Sequence, residues 1–179
     1  MKKSFALLLA LALFLLCPAA LAAEFVAEGV FTITYDETAY TVDSTTYAHE
    51  NTDDTYHWYC LIYNNDYAID VTVYDMEDLA GVTLFTLEDE KRLEYVDFML
   101  EAFEDDDIRY IGTLNASEYD IPFYFFTATD SEGQYLFAQT VVKGKAIEFA
   151  IYYNDASKDV DQSLLDALCV LVETFVPAA

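Results

Sequence analysis

The run IPFYFF, from Ile121 to Phe126, restricts the folds open to this chain more than any other stretch. Alternate side chains of an extended strand point to opposite faces. Ile121, Phe123 and Phe125 therefore point one way, and Pro122, Tyr124 and Phe126 the other. Both faces are apolar, and a strand buried on both sides needs one layer of structure above it and another below. After Asp-Ser-Glu-Gly at 130–133 the chain continues as a second apolar run, Gln134 to Val142. The pair reads as a hairpin at the centre of a sheet.

Cover for that sheet comes from two helical patterns. In the first, predicted from about Leu87 to Phe103, Leu93, Val96, Met99, Leu100 and Phe103 form one stripe, with Glu94, Asp97, Glu101 and Glu104 opposite. Thr86 and Asp89 approximate a capping box at its start. The second closes the chain, with Leu164, Leu165, Leu168, Leu171, Val172 and Phe175 as its apolar face and an N-terminal flank rich in Asp and Ser. Further strands are expected at Val30–Tyr35, at Ala39–Val42 as a short partner of that strand, at Tyr56–Tyr63 and Tyr67–Met76 around an Asn-Asn-Asp turn, at Ile108–Leu114 and at Ala146–Tyr153. Ser44 to Thr55 is polar and reads as a loop. The expectation is an α+β fold, a mainly antiparallel sheet covered on both faces by helices. A transmembrane barrel is excluded because the strands are too few and amphipathic helices have no place in one.

Lys2 and Lys3, an apolar block from Phe5 to Leu16, and Ala20-Leu21-Ala22 have the organisation of a secretory signal peptide. Residues 1–22 are expected to be cleaved, leaving 23–179 as a single domain outside the cell or in its envelope, with no membrane insertion. Of the cysteines, Cys60 and Cys169 then remain, and sequence leaves open whether they pair. The 33 acidic against 8 basic residues give a formal charge of −25. Such a surface repels nucleic acid and anionic headgroups, keeps the protein soluble and monomeric, and attracts cations or basic proteins.

Three segments carry a family resemblance: GVFTITYDETAYTV at 29–42, the meander from GTLNASEYDIPFYFF to AIEFAIYYN at 112–154, and VDQSLLDALCVLVETF at 160–175. Their order resembles the Mog1/PsbP-like fold. Ala39-Tyr40 stands where members with a Gly-Trp-like signature differ. The resemblance implies an exported, non-catalytic accessory or partner-binding protein, and it carries no functional residue over to this chain.

Motifs for catalysis are missing. His49 and His57 lie in neither a Gly-x-Ser-x-Gly nor a His-Glu-x-x-His pattern, and no catalytic residue or cofactor is assigned. For a metal the candidates are Glu101, Glu104, Asp105, Asp106 and Asp107, crowded at the negative end of the first helix, where calcium would offset their repulsion if Arg109 and solvent do not. A second set of oxygens, Asp155, Ser157, Asp159, Asp161, Ser163 and Asp166, has EF-hand-like spacing but lacks the turn glycine. Phe98, on the acidic side of the first helix, is the candidate partner contact. The leading expectation is a secreted, non-catalytic binding or accessory protein whose ligand the sequence does not name, with a basic protein or a cation as the partner its charge favours. The alternatives are an acidic calcium-responsive protein and a hydrolase whose site is assembled only in space.

Overall fold

The computed structural model describes residues 22–45, 56–76, 79–102, 107–116 and 119–178. The fold is α+β. Strands β1 (Ala22–Ala27), β2 (Phe31–Asp36), β3 (Thr41–Asp43), β4 (Tyr56–Tyr63) and β5 (Tyr67–Asp75) precede helix α1 (Asp89–Ala102). Strands β6 (Arg109–Ala116), β7 (Ile121–Thr129), β8 (Gln134–Val142) and β9 (Lys145–Tyr153) lead to α2 (Gln162–Val172) and the two-residue β10 (Val176–Pro177). The pairing is antiparallel throughout, in a seven-stranded sheet of order β3-β4-β5-β9-β8-β7-β6 and a three-stranded sheet of order β1-β2-β10.

Short-range chemistry sets the turns. Between β4 and β5 the Asn64 carboxamide oxygen accepts from the backbone N–H groups of Asp66 and Tyr67, at 2.8 and 3.0 Å, a side chain imitating a backbone turn. Asp130 does the same for Glu132 and Gly133 between β7 and β8. Lys143 and Gly144 both have positive φ, 54° and 80°, the two-residue turn whose twist matches the strands on either side.

Each face of the large sheet has its own cover. On the first, Ile69, Val71, Val73, Ile121, Phe123, Phe125, Ile147, Phe149 and Ile151 pack against α2 and the small sheet in one continuous core. On the second, Tyr124, Phe126, Phe137 and Val141 pack against α1 and a single 3-10 turn at Leu84–Thr86. Asp161 caps α2, accepting from the N–H groups of Ser163 and Leu164.

Several expectations are corrected by this arrangement. The β7–β8 hairpin is not central, since β9 is the middle strand and β7 lies next to the edge. Cover decides its burial, because α1 and the 3-10 turn sit over this half of the sheet. The short strand β3 pairs with β4 instead of β2, and β2 takes β1 as its partner, a strand that begins where signal cleavage was read. The apolar layer opposite α1 is a helix plus a small sheet, not a helix alone. Helix α1 begins at Asp89, and Thr86 belongs to the 3-10 turn, its hydroxyl returned to the carbonyl of Thr83 at 2.7 Å. The buried stripe of α1 is Tyr95, Val96 and Met99, with Leu93 60% exposed. The helix is rotated because the Tyr95 hydroxyl is drawn inward to Gln139 and Arg92 Nε donates to the carbonyls of Leu84 and Leu87, at 3.1 and 2.9 Å. Phe103 lies outside the described residues.

Gly144 packs under the segment after β5, where an added Cβ meets Ala80 Cα, Gly81 N and Leu79 O at 2.9 Å. Gly29 has a similar φ, 75°, but open space around its missing Cβ. Replacing Gly29 by Ala is expected to cost about 1 kcal/mol from backbone conformation alone. Gly144→Ala adds a clash with backbone to the same strain, so urea unfolding midpoints should fall clearly further for Gly144→Ala than for Gly29→Ala.

Candidate functional site

Two concavities open on the second face of the large sheet, at places that share no lining residue. The first is an apolar groove of about 590 Å³ alongside α1, lined by Met76, Leu79, Val82, Leu84, Leu87 and Phe98, with Lys91, Glu94 and Tyr95. Phe98 is 48% exposed, and its ring lies 6.5 Å from that of Tyr95. Its place on the solvent side of α1, read from the sequence, is where the structure puts it. The 3-10 turn and the segment after β5 form the far wall, which periodicity in the sequence did not reveal.

The second is a cleft of about 490 Å³ at the other end of the strands, lined among others by Asp70, Asp130, Glu132, Tyr135, Tyr152 and Lys158. Strand alternation brings Asp70 from β5, Tyr135 from β8 and Tyr152 from β9 to the same face, with Ala150 directly opposite Asp70. The Tyr152 hydroxyl donates to Asp70 Oδ2 at 3.2 Å. Lys158 Nζ lies 4.9 Å from the centre of the Tyr153 ring, within cation–π range.

Between groove and cleft runs a polar strip assembled from α1, β5, β8 and β9. The Tyr95 hydroxyl donates to Gln139 Oε1. Gln139 Nε2 donates to Glu148 Oε2 at 2.9 Å, and the Tyr74 hydroxyl to Glu148 Oε1 at 3.3 Å. Burial holds the Glu148 carboxyl well above the ordinary carboxylate range, at about 7, against the opposing pull of those two hydrogen bonds. Burial likewise raises Asp70 to about 6, opposed by the Tyr152 hydroxyl. The Asp70 charge adds to the upward shift of Glu148, since the two occupy neighbouring strands on one face. The signal in the sequence was a lone Glu at the centre of AIEFAIYY and a lone Asp in AIDVTVY, each at a position strand alternation turns inward.

The predicted metal residues are only partly placed. Glu101 is exposed on α1, and Asp107 is exposed and paired with Arg109 at 2.9 Å. Glu104, Asp105 and Asp106 lie outside the described residues. Among the described residues no group of three or more His, Cys, Asp or Glu side chains is arranged to hold a metal. The EF-hand-like set is engaged in local structure, Asp155 with the Ser157 hydroxyl and N–H and Asp161 as the α2 cap and acceptor from Tyr153. His57 faces Asp75 at 3.9 Å, and Asp75 also pairs with Lys145; His49 lies outside the described residues. Cys60 and Cys169 are free thiols, the first buried and the second partly so.

No protein-family model and no curated protein matches the sequence. Among solved structures the chain is similar to the solution structure of cyanobacterial PsbP from Synechocystis sp. PCC 6803, at 12% identity and a TM-score of 0.49. The similarity covers 90% of this chain and 95% of that one.

The two raised carboxyls fix the sign of a pH dependence. An unfolded Glu or Asp titrates near pH 4, so between that value and about 7 for Glu148, or about 6 for Asp70, the folded chain holds protons that the unfolded chain has lost. Stability therefore rises as pH is lowered through this window and falls as pH is raised through it. Below it the trend reverses. Asp36, Asp155 and Asp161, held low chiefly by hydroxyls of Thr38, Ser157 and Tyr153, lose their contribution as they protonate. Melting temperature should climb by several degrees from about pH 8 to about pH 5, and Glu148→Gln should flatten that climb while leaving the acid limb in place.

Proposed function

We propose that this chain is an exported, non-catalytic binding module that docks a basic partner on the groove beside Phe98. One observation carries the reading. An exposed aromatic ring lines an apolar groove on a helix whose solvent side presents Asp89, Glu90, Glu94, Asp97 and Glu101. A large ring beside a pocket is the kind of residue that dominates binding energy when water is excluded around it. The carboxylates along the helix, of which Glu94 pairs with Lys91 and Asp89 with Arg92, and the formal charge of −25 draw positive charge toward this surface. The partner this combination suits is a basic segment bearing aliphatic or aromatic side chains at helical spacing.

Export rests on the charge, apolar block and small-residue site of residues 1–22. N-terminal sequencing of the protein recovered from the medium or envelope of expressing cells should read Ala23 first. Against a hydrolase stands the geometry of the carboxylate pair. Both oxygens of Glu148 are engaged, by Gln139 and Tyr74, and Glu148 does not line the cleft that Asp70 lines.

A synthetic amphipathic peptide, with leucines at helical spacing and lysines elsewhere, serves as the probe. It should bind at low salt and weaken as salt is added. Phe98→Ala should weaken it by about tenfold, the equivalent of 1.4 kcal/mol, with an alanine-for-leucine peptide indifferent to the substitution. Equal binding of the leucine peptide to both forms overturns the assignment of the groove.

A further inference from the structure

We propose that the cleft floored by Asp70 is a second binding site, for a small organic cation with N–H donors, an alkylguanidinium or a primary ammonium. It shares no lining residue with the Phe98 groove and stands independently of it.

The argument begins with an incomplete carboxyl. Asp70 Oδ2 accepts from Tyr152, but Oδ1 is closed to solvent and has no hydrogen-bond partner. Two residues along the same face Thr72, only 3% exposed, has a hydroxyl with no partner either. Native interiors satisfy nearly all such groups, and a carboxylate acceptor left without a donor is among the more costly exceptions. The other positions on this face of β5, Ala68, Thr72 and Tyr74, carry no carboxyl.

The cleft above this acid has the composition that selects a cation. Asp70, Asp130 and Glu132 face one lysine, and Tyr135, Tyr152 and Tyr153 contribute aromatic surface. An anion is repelled there, and a neutral apolar molecule leaves Asp70 Oδ1 unmatched. A guanidinium or ammonium brings both charge and donors, and the last torsion of an aspartate is soft enough for the carboxyl to turn its vacant oxygen toward an incoming N–H. The cleft already tolerates such a group at its wall, where the Lys158 ammonium stands over the Tyr153 ring. Its volume, about 490 Å³, lies in the range of small-molecule pockets. Removing Lys158 takes away a competing positive charge, so Lys158→Ala should bind more tightly than the native chain.

Two probes divide the chemistry: agmatine, which carries N–H donors, and tetramethylammonium, which carries charge without them. Titration of the full chain is followed by chemical shifts of the Asp70, Tyr135 and Tyr152 backbone amides. Agmatine should move these resonances and tetramethylammonium should move them much less. Asp70→Asn should weaken agmatine binding by about tenfold or more, Lys158→Ala should strengthen it, and Phe98→Ala should leave it unchanged. Because Asp70→Asn removes a poorly solvated charge, its melting temperature at neutral pH should be equal or higher, so lost binding is separated from lost folding. No movement with millimolar agmatine, undiminished binding by Asp70→Asn, or equal response to the two cations overturns the proposal.

Discussion

Four phenylalanines from distant parts of the chain hold the two sheets together. Phe31 of β2, Phe123 of β7, Phe149 of β9 and Phe175 just after α2 pack with ring centroids 5.0 to 6.4 Å apart. Each ring is almost fully buried, and aromatic contacts at tilted or edge-on angles add to what burial itself contributes. Phe175 is the keystone in position. It is placed by the last turn of α2, it touches both sheets, and the chain beyond it forms β10 on β2. The Thr174 hydroxyl, which accepts from the N–H of Thr34 and donates to its carbonyl at 2.9 and 3.0 Å, fixes the approach. The buried residues of the small sheet, Ala27, Phe31 and Ile33, all lie in this core.

With the first face sealed in this way, the second face is free to be uneven. Over β7 and β8, α1 and the 3-10 turn bury Tyr124, Phe126 and Phe137. Toward β5 and β9 the inward positions turn polar, with Asp70, Thr72, Gln139 and Glu148 in one strip. Tyr95 joins the two regimes, its ring packed against Tyr124 at 5.8 Å and its hydroxyl on Gln139. That bond, together with the Arg92 contacts to the carbonyls of Leu84 and Leu87, accounts for the rotation of α1, and Phe98, one turn along, faces outward. Groove and cleft thus arise from one design, a helix that covers half of a face and leaves the rest to carboxyls and tyrosines.

What the sequence determined by itself was local. Apolar runs began β7 at Ile121 and placed β8 to the residue, and Asn64 and Asp130 specified turns, because these signals act between residues a few positions apart. The two-sided apolar character of IPFYFF required cover on both faces, and cover is present. Only the tertiary structure decided which element supplied it, which strand stood at the centre, and that β2 and β3 would join different sheets. Those choices depend on contacts between residues more than a hundred positions apart, such as Thr34 with Thr174, and no period in the chain records them. The polar strip was hidden for the same reason. Glu148 is one charge among many in an acidic sequence until β5, β8 and β9 bring Tyr74, Gln139 and Asp70 around it, and burial, which sets its chemistry, is a property of the assembled fold.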